Sequence, residues 1–305
     1  MKLSQINEAQ IADRLQQGAL LLGLPPFVAR IASDVPGLAG DIGRMYGEFA
    51  VCDTDTFADF HIAVTLDGGL RRWVKPVARF AFDGKRSFLP LPAAQAFPMM
   101  EWGLNWCVAA HAHQYLVIHA AVVEKEGKAI ALPAPPGSGK STLCAALVHR
   151  GWRLLSDELA LLDPVTGLVY GMARPINLKN RSIDIVRSFA PDAVMTAPVP
   201  DTAKGTVALV RPPAASVARV AEPARIHAIV LPRYTPDGAA RMERCSKADT
   251  FMLVAEQSFN YDIHGIAGFQ SVVRLLDNSR CLAFSYGDLD DAIAAFDDLI
   301  TMPSA

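Results

Sequence analysis

One stretch constrains this chain more than any other. Pro133-Ala134-Pro135-Pro136-Gly137-Ser138-Gly139-Lys140-Ser141-Thr142 lies between an apolar, strand-like run, Ala129 to Leu132, and a helix-forming run, Leu143 to His149. Strand, glycine-rich turn and helix in that order bring backbone N–H groups and the positive end of a helix dipole onto one small volume, which suits a polyphosphate. Gly137 and Gly139 permit positive φ and a close approach of backbone to phosphate. Pro136, Gly137, Ser138, Gly139, Lys140, Ser141 and Thr142 form the expected nucleotide-binding segment, with Lys140 reaching the β- and γ-phosphates and the Ser141 hydroxyl on Mg²⁺. The first glycine of the usual motif is replaced by Ala134. That position eases the turn out of the strand, whereas Gly139-Lys140-Ser141 carries the phosphate-contacting part.

The 305 residues are 51% hydrophobic and 20% charged, enough for one large or two ordinary domains with real cores. A formal net charge of −2, with Lys and Arg scattered, argues against nucleic acid as a partner. Cys52, Cys107, Cys144, Cys245 and Cys281 show no CxxC spacing, which fits a reducing compartment. The N-terminus lacks a basic-then-apolar leader, and no uncharged apolar run reaches the roughly 18 to 20 residues of a membrane span. The expectation is a cytoplasmic protein with no integral membrane segment.

Spacing of Ile6, Ile11, Leu15 and Leu20 predicts a helix over Gln5 to Gly23, and the apolar Gly18 to Ile31 reads as part of a buried N-terminal helix cut by Pro25 and Pro26. Alternation from Phe49 to Leu91, with a turn at Asp83-Gly84, predicts an antiparallel meander. A core helix rich in Trp and Met follows near Met99 to Ala112. Tyr115 to Glu124 and Lys128 to Leu132 form a hairpin around Glu126-Gly127. Trp152 to Leu155 is a strand ending at Ser156-Asp157-Glu158. Leu159 to Asp163 and Leu168 to Tyr170 form another hairpin. Six prolines make residues 190–224 read as loop. Beyond them come a strand over Ile226 to Leu231, a helical stretch over Lys247 to Leu276 broken near Gly265 and Gly268, a strand over Cys281 to Ser285, and a helix over Leu289 to Ile300. The fold class expected is α/β with an α+β tendency. Residues 1–110 are read as a smaller N-terminal α+β domain of unknown role, and 111–305 as an ATP-binding catalytic domain.

The acid pair decides what the phosphate loop is for. Asp157-Glu158 ends the strand after the first helix, where a parallel neighbour of the loop strand would deliver carboxylates to a metal. One acid can hold Mg²⁺ while the other takes the proton of an attacking hydroxyl. A free Asp titrates near about 3.9, but phosphoryl transfer leans on positioning and charge neutralisation more than on base strength.

These segments carry a resemblance. Ile118-His119-Ala120-Ala121-Val122-Val123, the loop Gly137-Ser138-Gly139-Lys140-Ser141, and Arg150-Gly151-Trp152-Arg153-Leu154-Leu155-Ser156-Asp157-Glu158 resemble the catalytic domain of HPr kinase/phosphorylase. Arg174-Pro175-Ile176-Asn177-Leu178-Lys179-Asn180, Lys204-Gly205-Thr206-Val207, Arg211-Pro212-Pro213 and Phe284-Ser285-Tyr286-Gly287-Asp288-Leu289-Asp290 resemble the HPr kinase-related kinase A group more closely still. The resemblance implies a P-loop kinase domain related to the phosphoenolpyruvate carboxykinase core. It implies Asp157 as catalytic base beside Lys140 and His119, and Glu158 assisting Ser141 and Asp157 at the metal. Because the related kinases form hexamers, it also implies a homo-oligomer. The glycine-rich signature loop after the acid pair is missing, and Arg174 to Arg181 take its place, so neither the reverse phosphorylase reaction nor a carrier-protein substrate carries over.

Lys179, Lys204 and Arg174 are expected to clamp the transferred phosphate, and Phe259 to Gly265 to line the acceptor pocket. The expected function is an ATP- and Mg²⁺-dependent kinase acting on a hydroxyl of a protein serine or a small molecule. A metabolite or lipid-alcohol kinase is one alternative, and an ATP-binding regulatory switch is the non-enzymatic one.

Overall fold

The computed structural model describes residues 1–69 and 71–302. The expected second domain runs to 305, so its last three residues lie outside the described ones. The chain opens with helix α1 (Glu8–Gln16), capped by Asn7, whose side chain accepts from the Gln10 amide. It then turns into a hairpin of β1 (Leu20–Leu24) and β2 (Phe27–Ser33) around Pro25-Pro26. The long N-terminal helix expected from the sequence therefore stops at Gln16. The reason is local: from Phe27 on, burial alternates residue by residue, a period of two that suits a strand and not a helix.

Helix α2 (Leu38–Tyr46) leads to β3 (Phe60–Leu66), α3 (Arg71–Val74), β4 (Val77–Phe82), β5 (Lys85–Arg86) and β6 (Leu91–Pro92). The sheet order is β1-β2-β3-β4-β5 with β6 beside β4, and β2–β3 is its parallel pair. The Asp83-Gly84 turn falls where the alternation places it, with both residues at positive φ. Helix α4 (Ala96–His111) packs across β3 and β4. Its Met99, Met100, Leu104 and Cys107 are buried, whereas Trp106 faces outward against Phe82 and Phe88, so the helix is not core all round. Contact with β4 is close at Gly103: a β-carbon there would lie 2.1 Å from the Phe80 ring.

The larger sheet begins with β7 (Leu116–Lys125) and β8 (Lys128–Pro133), joined through Glu126-Gly127. After α5 (Lys140–Val148) come β9 (Arg153–Ser156), β10 (Leu159–Leu162) and β11 (Val169–Tyr170). Residues 176–218 hold β12 (Ile176–Lys179), α6 (Arg181–Phe189), β13 (Val199–Thr202), β14 (Gly205–Val210) and α7 (Ala214–Ala218). The stretch expected as loop, residues 190–224, thus contains β13, β14 and α7, and its two strands join β12 in a three-stranded sheet ordered β12-β14-β13. Its prolines fall between elements, except Pro200, which sits in the edge strand β13 where a ladder donor is dispensable.

The chain ends with β15 (Ile226–Tyr234), β16 (Arg241–Arg244), α8 (Lys247–Glu256), α9 (Tyr261–Asp277), β17 (Arg280–Tyr286) and α10 (Leu289–Thr301). Gly265 breaks α9 with φ +52°. The eight-stranded order is β11-β10-β7-β8-β15-β17-β16, with β9 also on β7; β8, β15 and β17 are parallel. One face packs against α5, α6 and α10 through Leu143, Leu147, Val186 and Phe296, and the other against α8 and α9 through Val254, Val272 and Leu276. Covered on both faces, β8 reads as the unbroken apolar run that flagged it in the sequence. A third apolar cluster joins the first sheet, α2 and α4 to Val117, Leu159, Met172 and Leu209. Among the described residues, no helix is long and apolar enough to cross a membrane.

Because the Phe80 ring leaves no room, Gly103→Ala is expected to cost about 1–3 kcal/mol in urea denaturation, the usual penalty of overpacking. An unchanged midpoint would mean that α4 does not press on β4.

Candidate active site

The phosphate loop lies at the carboxyl ends of the parallel strands. Gly137 and Gly139 have φ of +89° and +90°. At Gly139 a β-carbon would sit 2.5 Å from the Tyr286 hydroxyl and 3.0 Å from Tyr234 Cβ. Tyr286 donates to the Gly139 carbonyl at 3.0 Å and the Tyr234 amide donates to the Ser138 carbonyl at 2.9 Å, so β15 and β17 hold the turn in place. No side chain caps the first turn of α5, and its leading N–H groups stay open for an anion. Ser138, Ser141 and Thr142 are half-buried at this turn, and Pro136 is exposed beside it.

Lys140 is buried, with its ammonium 2.9 Å from His119 Nε2. Lysine has only protons to give, so Nε2 accepts, and the ring proton sits on Nδ1, facing Gln257 Oε1 at 3.2 Å. Burial, followed by the Lys140 charge, pushes the His119 pKa down and keeps the ring neutral. Burial also lowers that of Lys140, against the pull of Asp157 and Glu158. His119 therefore holds the loop lysine in the absence of a phosphate. Gln257 was not legible as a site residue. It reaches His119 because the α8–α9 connection pairs with β7, the His119 amide donating to the Gln257 carbonyl at 2.7 Å.

The acid pair arises from an interruption of a strand. β9 and β10 run along the same edge of β7, with Ser156 opposite Val122 and Leu159 opposite His119. Between them Asp157-Glu158 leaves the ladder, and the Ser156 hydroxyl closes the gap by accepting from the Glu158 and Leu159 amides at 3.2 and 2.7 Å. β9 is thus not the immediate neighbour of β8 that the sequence suggested: β7 lies between them, and both run antiparallel to it. The carboxylates still arrive from a strand parallel to β8, one place further out.

Asp157 is 4% exposed. Its Oδ2 accepts from the Asn177 amide at 3.0 Å, while Oδ1 has no hydrogen-bond partner; the Ser141 hydroxyl is close enough to act on the carboxyl without completing that bond. Burial and then Glu158 push the pKa up to about 6, against Lys140, Asn177 and Ser141. Glu158 behaves oppositely. Burial raises its pKa, but Lys204, followed by Lys140 and Lys179, brings it below the ordinary value, so it stays ionised.

Of the three basic residues expected at the phosphate, Lys179 and Lys204 act on Glu158, and the Lys204 ammonium also lies 4.9 Å from the centre of the Trp102 ring. Arg174 is buried and engaged elsewhere: its guanidinium lies 3.4 Å from Glu101 and donates to Asn105. Glu101 accepts from Tyr46, and Asn105 donates to Glu158 at 3.2 Å. A polar chain therefore runs from α2 through α4 to the acid pair, through Arg174 and through Tyr46, Glu101 and Asn105, which no sequence motif marks. Phe259 approaches His119, ring centres 5.9 Å apart, whereas Asn260 and His264 are taken up by the Tyr115 and Val117 backbone.

Magnesium takes hard oxygen ligands and usually only one or two carboxylates, the rest coming from water and substrate phosphates. Among the described residues no three His, Cys, Asp or Glu side chains group as a metal site. The Ser141 hydroxyl and the unpartnered oxygen of Asp157 nevertheless suit a magnesium-bound phosphate, and Glu158 adds a charged oxygen next in sequence.

The sequence model of the SynChlorMet cassette protein ScmC matches residues 94–175. That stretch spans α4, the phosphate loop and the acid pair, well under half of the chain. No curated protein matches. The match is to that family and not to an HPr kinase family, so the resemblance to HPr kinase/phosphorylase and to the related kinase A group is corrected. The segments that carried the resemblance are short, and a phosphate loop followed by acidic residues does not by itself name a family. The roles that rested on the resemblance alone lose that support: the hexamer, and Asp157 as base.

The raised Asp157 pKa has a defined sign. Because the folded protein keeps this proton up to about pH 6 and the unfolded chain only to about 4, ionising Asp157 erodes stability as pH rises through that window. Asp157→Asn removes the cost, and is expected to stabilise the ligand-free protein by about 1–3 kcal/mol near pH 8 and by about nothing near pH 4. Urea denaturation at both pH values checks this, and destabilisation near pH 8 would contradict it.

Proposed function

We propose that this chain is an ATP- and magnesium-dependent phosphotransferase that moves the γ-phosphoryl group to a hydroxyl acceptor. The observation that supports it best is the convergence of three things at one end of the sheet: an uncapped helix N-terminus behind two glycines of positive φ, a buried lysine, and a carboxylate pair flanked by further lysines. A polyanion needs the first two, and the chemistry needs the third.

The open α5 amides and Lys140 would bind the phosphates, Lys140 exchanging His119 for a phosphate oxygen. Magnesium, when bound, neutralises charge on the phosphates, and Ser141 and Asp157 would hold it. Asp157 suits this side of the pair because it is deeply buried, carries an unpartnered oxygen and neighbours Ser141. Glu158, ionised among Lys140, Lys179 and Lys204, would take the acceptor's proton. The acceptor oxygen then bonds to the γ-phosphorus, the bond to the bridging oxygen breaks, and its electrons leave with ADP. A carboxylate of ordinary basicity suffices, because the transition state is loose and charge neutralisation dominates. Lys179 and Lys204, which already act on Glu158, would meet the charge on the moving group.

Incubation with γ-labelled ATP and fractionated extract, followed by mass spectrometry for the species that gains phosphate, tests the reading. Lys140→Ala is expected to cut transfer by about 10³-fold, the scale of one cation lost at a transferring phosphoryl group. Full activity in that variant would overturn the assignment, and tight ATP binding with no transfer to any acceptor would point to a switch instead.

A further inference from the structure

Two oxygen atoms near the acid pair lack a hydrogen bond among the described residues. Asp157 Oδ1 and Asn177 Oδ1 are both buried without such a partner, on residues 4% and 6% exposed. Their residues are neighbours, since the Asn177 amide donates to the other carboxylate oxygen of Asp157 at 3.0 Å. Both line one cavity between the end of β9, the start of β12 and α4, together with Glu101, Glu158, Asn105 and Arg174. Buried acceptors in folded proteins are almost always satisfied by protein, ordered water or an ion.

We propose that Asn177 is a ligand of a small divalent cation, its amide oxygen acting with Asp157 Oδ1. The donor chemistry points this way. A carboxylate and an amide carbonyl are hard oxygens of the kind that magnesium, manganese and calcium accept; Met172 is the one sulfur-bearing residue among the described residues of the wall, and no thiol or imidazole joins it. The guanidinium on the wall, Arg174, is already engaged by Glu101 and Asn105.

The local backbone explains why asparagine suits this place. Asn177 lies in β12, where pairing with Leu209 of β14 fixes its position, and its N–H already orients Asp157. One residue thus sets the carboxylate with its backbone and adds a ligand with its side chain. An aspartate would supply the same oxygen with a further charge, and a leucine would fill the space with nothing to donate. The inference deepens the phosphotransferase reading, on which it rests for the use of the metal, by adding Asn177 to Asp157 as a ligand. It can be tested without nucleotide, so the two can fail separately.

The probe is Mn²⁺ alone, added to the full-length protein without ATP and followed by electron paramagnetic resonance and by thermal melting. Wild type is expected to take up one Mn²⁺ and to melt higher with it. Asn177→Leu is expected to bind about tenfold more weakly or worse, the scale on which disturbed metal sites lose affinity, and to lose the melting shift. Asn177→Asp is expected to keep or tighten binding, and it serves as the reading should the leucine variant fold poorly. Wild-type Mn²⁺ affinity in Asn177→Leu, or loss of binding in a folded Asn177→Asp, would overturn the assignment, as would wild-type protein that binds no Mn²⁺. Mn²⁺ binding through Asn177 in a protein that transfers no phosphate would leave the cation site standing and remove the phosphotransferase.

Discussion

Everything at the proposed site depends on charges that burial makes expensive and that have only one another for company. Lys140, Asp157 and Glu158 act on each other electrostatically while largely shielded from water, and the pKa of each is displaced from its ordinary value. A lone buried ion would shift its pKa and discharge. These three partly compensate, and what remains uncompensated has a direction: Lys140 is pushed toward losing its proton and Asp157 toward keeping one. A polyphosphate beside Lys140 and a cation beside Asp157 would each reverse the local imbalance. The ligand-free protein is therefore poised for a pair of opposite charges rather than for either alone.

Holding such a cluster requires a rigid frame, and the frame comes from both halves of the chain. The larger sheet sets the loop and the acid pair, with Tyr234 and Tyr286 pinning the turn and the Ser156 hydroxyl closing the gap in the β9–β10 edge. The first sheet contributes through α4. Glu101 and Asn105 project from that helix onto Arg174 and Glu158, and Tyr46 supports Glu101 from α2. Removing a single partner from a buried chain of this kind leaves a charge stranded, which costs far more than the pair contributes when intact. The close approach of α4 to β4 at Gly103 helps to set the position of the helix that carries Glu101 and Asn105.

The sequence made the local parts visible and hid those that depend on distant segments meeting. The loop, its flanking strand and helix, and the Glu126-Gly127 and Asp83-Gly84 turns were legible because glycine chemistry and apolar periodicity act over a few residues. The β1–β2 hairpin was missed because one apolar run reads as helix, although its first half is a strand buried throughout and its second half alternates, with Pro25-Pro26 as the turn. The strands β13 and β14 were missed because proline density signals loop, although the prolines mostly sit between elements. Gln257 and Asn105 carry no motif, and Asn177 lies in a segment of the resemblance that assigns it no role of its own. Each matters only because a strand pairing or a helix packing brings it to His119, Glu158 or Asp157.

The same distinction bears on the family resemblance, which was drawn from short segments, the loop and the acid pair among them, and which the match over residues 94–175 overturns. Short segments do not show how the acid pair is presented or what supports it. Here the pair leaves the ladder at a break in an edge strand, one strand removed from the loop strand, and is supported by a helix from the first half of the chain. The matched stretch, residues 94–175, begins just before that helix and ends just after Arg174. It takes in α4, the loop and the acid pair together, the set of elements that the polar chain from Glu101 to Glu158 ties into one unit.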